Sequence, residues 1–196
     1  MVVKKKIILA SRSFRRQHLL RQIGLQFDVR ESHVEEEFDL SKTPEENVQI
    51  LAIKKATEVA KSIDDGIIIG ADTIVVLDNK IFGKPSNFNH ACEMLKTLSG
   101  RTHEVYTGFA LVNRPLDISI SGYEVTKVKF RDLTDDEIIE YVKSGSPMDK
   151  AGAYGIQDDY GAVFVEKVEG CYYNVVGLPL AKFYKQLEIF QKQLGL

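Results

Sequence analysis

The sequence has few cysteines, almost no net charge and no long apolar run, and each shortage excludes a class of protein. Cys92 and Cys171 are the only cysteines among 196 residues, too few and too isolated for a disulfide framework or a zinc motif. We therefore expect a reducing, cytoplasmic location. The formal net charge of −2 lacks the basic surplus that non-specific nucleic-acid binding requires, so no nucleic-acid partner is expected.

The sequence also lacks a segment that would enter a membrane. Only four apolar residues follow Lys4-Lys5-Lys6, which is too short for the core of a signal peptide. No uncharged apolar run approaches the roughly 20 residues of a membrane-spanning helix. We therefore expect no membrane partner.

The periodicity of apolar residues predicts a mixture of helices and strands. Strands are predicted at 7–10, 26–32, 67–77 with an interruption at 70–73, 104–113, 119–130, 162–168 and 173–176. Helices are predicted at 15–23, from a cap at Thr43 to the break at Asp64-Asp65-Gly66, and at 88–98, 134–144 and 180–194. Because βα units alternate with a long hairpin, we expect an α/β fold with a mixed sheet.

A cluster of hydroxyls and guanidiniums separates the first strand from the first helix. Ser11 and Ser13 alternate with Arg12, and Arg15 and Arg16 follow. Hydroxyls and free backbone N–H groups at a helix start, together with arginine, form a good anion site. The alternative is a solvated basic turn.

Three charged residues have less obvious positions. Asp72 interrupts an apolar run, where a carboxylate must be paired, hydrogen-bonded or bound to a metal. Glu36 is the central residue of three consecutive glutamates, which form either a solvated patch or a source of an oxygen ligand for Mg²⁺ or Mn²⁺. Lys55 lies on the apolar side of its helix, where it either extends to solvent or belongs to a site.

Two glycine-containing segments complete the set. Lys84 lies between Gly83 and Pro85, and Gln157 ends the segment 149–157, which is either an ordinary packed loop or a loop that closes over a flat ligand. Together with the serines, arginines and carboxylates, they are the parts needed for metal-assisted attack of water on a phosphoanhydride.

These motifs occur together, and in this order, in one family. The chain resembles the Maf family of nucleotide pyrophosphatases over nearly its whole length. The resemblance is carried by Leu9-Ala10-Ser11-x-Ser13-x-Arg15-Arg16, Leu51-Ala52-x-x-Lys55-Ala56, Gly70-Ala71-Asp72-Thr73, Gly83-Lys84-Pro85, Leu98-Ser99-Gly100 with His103 and Val105, the segment 149–157 and Val175-x-Gly177-Leu178-Pro179. It implies a single domain, residues 1–196, with an elongated mixed sheet flanked by helices and two lobes around a central cleft. This architecture is similar to that of inosine triphosphate pyrophosphatase.

The resemblance also implies an activity. Family members hydrolyse nucleoside triphosphates to the monophosphate and pyrophosphate with Mg²⁺, Mn²⁺ or Co²⁺. The form of the segment 149–157 resembles the branch that acts on dTTP and UTP, with CTP and modified pyrimidine nucleotides as further candidates. A different alternative is a nucleotide-binding regulator of septum formation with incidental hydrolysis. A homodimer is consistent with the family.

The same resemblance assigns roles to individual residues. Asp72 corresponds to the proton acceptor, and with Glu36 it would hold the metal. The positions tied to substrate specificity are Arg15, Thr73 and Gln157. Those for phosphate, metal or catalytic function are Ser11, Arg16, Glu36, Lys55 and Lys84. Two features depart from the family: Phe14 replaces the usual proline, and Asp158-Asp159-Tyr160 precede Gly161, one residue more than is usual.

Overall fold

The computed structural model describes residues 5–157 and 160–196. Within these ranges seven strands form one sheet, in the order β2-β1-β3-β5-β6-β7, with β4 paired to β3. The strands are β1 (Ile7–Leu9), β2 (Asp28–Val29), β3 (Gly66–Leu77), β4 (Lys80–Phe82), β5 (Thr102–Arg114), β6 (Ser119–Phe130) and β7 (Val165–Glu169). Strand β1 is parallel to β2 and β3, whereas β4 and β7 are antiparallel to their neighbours, which confirms the predicted mixed sheet.

Six α-helices accompany these strands in the described part of the chain. They are α1 (Phe14–Gln22), α2 (Pro44–Ala60), α3 (Phe88–Leu98), α4 (Asp135–Lys143), α5 (Tyr172–Val176) and α6 (Leu180–Gln193). The capping boxes predicted for α2 and α4 are present, with Thr43 and Thr134 as caps and Glu46 and Glu137 as their partners. No helix in residues 5–157 and 160–196 has the length and apolar character needed to cross a membrane.

The chain forms two compact units. Unit 1 comprises Met1–Asp72, Thr107–Glu124 and Gly177–Leu196, and unit 2 comprises Thr73–Tyr106 and Val125–Val176. The core of unit 1 is built from small and β-branched residues of β1, α2, β3 and β5. The core of unit 2 is richer in large side chains, including Phe130, Phe164 and Tyr154.

Strand β3 corrects the predicted interruption at residues 70–73. The strand runs from Gly66 to Leu77 without a break, and Asp72 is buried within it. The carboxylate of Asp72 is paired with the ammonium group of Lys55 inside the protein, so the strand does not need to turn toward solvent at this point. The sequence shows a charged residue within an apolar run but not the residue that pairs with it, so the pattern predicted an interruption of the strand.

Other predicted elements were also wrong in type or extent. Residues 173–176 belong to helix α5 and not to a strand, because the side chain of Asn174 donates to the carbonyl of Val105 and to Thr126 Oγ1 from a helical turn. Strand β2 is much shorter than predicted. Residues 160–164 form a 3₁₀ turn, so β7 begins only at Val165, and β4 was not predicted at all.

Helix α1 begins at Phe14, in place of the proline that is usual in the family. The Ser13 side chain caps it by accepting a hydrogen bond from the Arg16 amide at 3.4 Å, and the Phe14 side chain is exposed. The cap therefore starts the helix without a proline. Asp158 and Asp159, the other departure, lie outside the described residues.

Candidate active site

A lysine joins two carboxylates in unit 1. Lys55 Nζ lies 2.6 Å from Glu36 Oε1 and 2.6 Å from Asp72 Oδ1. The side chains of Lys55 and Asp72 are 9% and 6% exposed, whereas that of Glu36 is 30% exposed. The three residues come from α2, from the segment before α2 and from β3, so the fold brings together three residues that sequence analysis selected separately.

Close packing of α2 on β3 places Lys55 beside Asp72. A Cβ on Gly70 would lie 2.1 Å from the carbonyl oxygen of Ala52 and 2.9 Å from the amide nitrogen of Ala56. Gly70 and Asp72 are two residues apart on one strand, so they face the same side of the sheet. The missing side chain at Gly70 thus allows the helix that carries Lys55 to approach the strand that carries Asp72.

Replacing Gly70 with Ala is expected to lower the free energy of unfolding by at least about 2 kcal/mol, because the new methyl group overlaps backbone atoms that cannot move independently. Urea denaturation measures this change. Gly24→Ala is the control, since a Cβ there meets nothing within 4 Å, and only the left-handed backbone (φ 75°) opposes it, at about 1 kcal/mol. Equal losses in the two variants would show that close packing at Gly70 is unimportant.

The electrostatic surroundings of Asp72 suit a proton acceptor. Burial raises the pKa of Asp72, and the nearby carboxylate of Glu36 raises it further, while Lys55 and Arg16 oppose the rise. A carboxylate with a raised pKa binds a proton more readily than an exposed aspartate does. Such a group is better matched to general-base chemistry near neutral pH.

The start of α1 carries an arginine side chain, that of Arg16, which interacts with the carboxylates of this cluster. Arg16 Nη1 lies 3.4 Å from Ser11 Oγ, which also accepts from the amide of Ser13 at 3.2 Å. Burial lowers the pKa of Arg16, an effect that Asp72 partly offsets. Arg15 is half-buried on the same helix, whereas Arg12 makes a surface ion pair with Glu31.

Gly177 holds Arg16 in place, a role that sequence analysis did not assign. The Gly177 carbonyl accepts a hydrogen bond from Arg16 Nε at 2.9 Å. Its φ of 127° is a conformation that other residues rarely adopt. The signal was present in the motif Val175-x-Gly177-Leu178-Pro179, but side-chain chemistry alone offered no reason to connect it with an arginine.

The remaining predicted residues, Thr73, Lys84 and Gln157, belong to unit 2. Within that unit, the amide of Gly152 donates to the carbonyl of Gly83 at 3.0 Å. This hydrogen bond joins the turn that carries Lys84 to the segment that ends at Gln157. The two glycine-containing motifs, 69 positions apart at Gly83 and Gly152, are therefore neighbours in the fold.

Polar contacts of Lys150 and of the buried pair His103 and Tyr154 anchor the segment 149–157. Lys150 Nζ donates to the Ser146 carbonyl at 2.5 Å and lies 2.9 Å from Asp149 Oδ1. His103 Nε2 and the Tyr154 hydroxyl are 2.8 Å apart. The motif that contains His103 gave this residue no role, and the structure places it in this anchor.

The carboxylates of Glu36 and Asp72 fit a divalent cation. Both carboxylates lie within 2.6 Å of one point, the Lys55 nitrogen, and Mg²⁺ is commonly held by one or two carboxylates while phosphate oxygens and water complete its shell. In the part of the chain that the structure describes, no three side chains of His, Cys, Asp or Glu are grouped as a metal site. Phosphate oxygens and water are the ligands that would complete the shell of a cation held by these two carboxylates.

Comparison with known proteins identifies the family. The family model described as "Maf-like protein" matches residues 6–190. The chain belongs to the Maf-like protein family. It is 52% identical to the dTTP/UTP pyrophosphatase of Carboxydothermus hydrogenoformans, over 93% of this chain and 97% of that protein. It is 48% identical to the dTTP/UTP pyrophosphatase of Bacillus cereus strain G9842, over 95% of this chain and 96% of that protein.

Among solved structures, the Staphylococcus aureus Ham1 protein gives a TM-score of 0.46 at 14% identity, over 65% of this chain and 73% of that chain. A similarity this weak carries no conclusion about function. The family assignment rests on the family model and on the sequence relatives, and it confirms the resemblance drawn from the seven motifs.

Proposed function

We propose that this Maf-like protein is a nucleoside triphosphate pyrophosphatase that hydrolyses dTTP and UTP to the monophosphate and pyrophosphate. The observation that carries the proposal is the pairing of buried Asp72 and partly exposed Glu36 on one ammonium group, next to the Ser11–Arg16 contact. This set offers a proton acceptor, oxygen ligands and phosphate-binding donors in one unit. Relatives about half identical to this chain carry the name of that activity.

The residues have distinct roles in this proposal. Asp72 accepts the proton of the attacking water, because its raised pKa makes the carboxylate a better base, and this role competes with binding of the cation, which would lower that pKa. Arg15, Arg16 and Ser11 bind phosphate oxygens, and Gly177 keeps the Arg16 guanidinium oriented. Glu36 and Asp72 would hold a divalent cation (Mg²⁺, Mn²⁺ or Co²⁺), which when bound would neutralise phosphate charge and acidify water.

Residues of unit 2 complete the proposal through the family resemblance. Lys84 is assigned to charge neutralisation on the phosphate chain, and Thr73 and Gln157 to recognition of the nucleoside. A primary amide suits Gln157 to base recognition, because it presents both a donor and an acceptor.

The direct test of the proposal is release of pyrophosphate from dTTP, UTP, CTP, GTP and ATP in the presence of Mg²⁺, Mn²⁺ or Co²⁺. We expect pyrophosphate and monophosphate in equal amounts, with the highest kcat/KM for dTTP and UTP. Release of orthophosphate instead would place the cleaved bond at the γ-phosphate and contradict the assigned reaction. Modified pyrimidine nucleotides belong in the same panel.

Replacing Gln157 with Ala is expected to change the ranking of nucleotides without unfolding the protein. Loss of hydrogen bonds that read one base should reduce the preference for dTTP and UTP over GTP by roughly tenfold. The ratios of kcat/KM across the panel measure this change. Gln193→Ala, at an exposed position on α6, is the control, and unchanged ratios in both variants would remove Gln157 from base recognition.

The septum-formation regulator is not favoured, because relatives about half identical carry the name of an enzyme. Cytoplasmic location and a homodimer remain parts of the proposal that rest on the cysteine content and on the family.

A further inference from the structure

Lys55 lies where a cation between the two carboxylates would lie. Its Nζ is 2.6 Å from an oxygen of Glu36 and 2.6 Å from an oxygen of Asp72. An ammonium group and a divalent cation therefore compete for the same oxygens. Binding of a metal by both carboxylates requires Lys55 to give up at least one of its ion pairs.

Giving up that ion pair is costly, because Lys55 is buried. Its side chain is only 9% exposed, so water cannot readily replace a lost carboxylate. Loss of one carboxylate removes part of the compensation of this buried charge, and loss of both would leave it without a partner, which is strongly destabilising. A metal arriving alone would thus displace the Lys55 ammonium without providing it with a new anion.

The charge count of the cluster also opposes binding of a metal without a nucleotide. With both carboxylates ionised, Glu36 and Asp72 carry two negative charges, which Lys55 and the adjacent Arg16 balance. A divalent cation added alone would leave this group, in which Lys55 and Asp72 are buried, with a net charge of +2. A triphosphate supplies the negative charge that is then lacking, and its oxygens serve as ligands to the metal and as a partner for Lys55.

We propose that Lys55 acts as an internal counter-ion that keeps the Glu36–Asp72 pair from binding a divalent cation until a nucleoside triphosphate is present. The inference deepens the proposed function and rests on it for the identity of the nucleotide. By linkage, a nucleotide that raises the affinity for metal is itself bound more tightly by the same factor when metal is present. Metal and nucleotide therefore bind cooperatively.

Binding of Mn²⁺, followed by the enhancement of water proton relaxation, tests the proposal without turnover. The proteins are wild type, Lys55→Met and the control Lys54→Met, which removes the same charge from the exposed neighbouring position of α2. Each is titrated with Mn²⁺ alone and with the α,β-methylene analogue of UTP, whose α–β linkage resists hydrolysis. Titrations of the analogue without protein correct for Mn²⁺ bound to free nucleotide.

Wild type and Lys54→Met should bind Mn²⁺ at least tenfold more tightly with the analogue than without it. Lys55→Met should bind Mn²⁺ alone at least tenfold more tightly than wild type, and the analogue should add little. Equal affinity of Lys55→Met and wild type for Mn²⁺ alone would overturn the proposal.

Two further comparisons keep the test decisive if Lys55→Met does not fold. Lys55→Gln removes the charge while keeping a polar side chain, and the same tenfold gain is expected. Wild type alone also decides, because tight Mn²⁺ binding that the analogue does not improve contradicts the inference. The gain expected for Mn²⁺ alone involves no nucleotide, so it separates this inference from a failure of the proposed dTTP/UTP activity.

Discussion

Replacing Asp72 with Asn is expected to lower kcat at least ~100-fold, the smaller end of what one positioned acid–base group contributes. The substitution keeps the shape of the side chain and one oxygen that can accept from Lys55, but it removes the basic carboxylate. Burial raises the pKa of the wild-type carboxyl group, so the lost group is a better base than an exposed aspartate. Pyrophosphate release from UTP under saturating nucleotide and metal measures the change.

The experiment needs evidence that the variant is folded and that the effect belongs to this position. Asp64→Asn is the matched control, because Asp64 is exposed in the same unit and should retain full activity. The far-ultraviolet circular dichroism and the urea midpoint of Asp72→Asn establish that it is folded. Activity within a few fold of wild type in a folded Asp72→Asn protein would exclude Asp72 as the proton acceptor.

The central part of the fold could be predicted because its signals are local. Apolar periodicity and a capping box are enough to predict α2, and alternation of apolar residues predicts the hairpin of β5 and β6. Helix α5 could not be predicted in this way, since its turn depends on hydrogen bonds from Asn174 to residues 48 and 69 positions away. Contacts at that separation leave no periodic pattern.

In the candidate site, too, the individual residues could be predicted from local sequence, but their contacts with distant residues could not. Asp72 lies within an apolar run, and Lys55 lies on the apolar side of its helix. Both positions indicated that a partner was needed, but the sequence did not show that the two residues pair with each other. The close packing of α2 on Gly70 brings Lys55 and Asp72 together. This packing is possible because glycine has no Cβ atom. The hydrogen bond from Arg16 to the Gly177 carbonyl could not be predicted either, because a backbone acceptor has no side-chain signature.

The second large effect concerns His103 and stability in mild acid. The side chain is 1% exposed and packs edge-on against Phe130 and Tyr154. Burial lowers the pKa of His103 from 6.5 to about 4. A charged imidazole donates from both nitrogens, and Nδ1 has no hydrogen-bond partner among residues 5–157 and 160–196, so protonation in the folded state would leave a buried donor unsatisfied.

The pKa of His103 determines how stability changes with pH. Below about pH 6.5 the imidazole of His103 becomes protonated in the unfolded chain but stays neutral in the folded protein. The free energy of unfolding therefore decreases as the pH is lowered from about 6.5 to about 4. At 1.36 kcal/mol per pKa unit the complete loss is about 3 kcal/mol, and about 2 kcal/mol is reached by pH 5. Above pH 6.5 both states hold the neutral imidazole, and the effect is absent.

His103→Gln removes the titrating group and keeps a side chain that can hydrogen-bond the Tyr154 hydroxyl, so its urea stability should fall less between pH 7.5 and pH 5. We expect the difference between the two proteins to change by about 2 kcal/mol over that range. His18→Gln, at an exposed position on α1, should follow the wild type. Parallel pH profiles for wild type and His103→Gln would show that His103 is protonated as easily in the folded state as in the unfolded chain, and would contradict the burial argument.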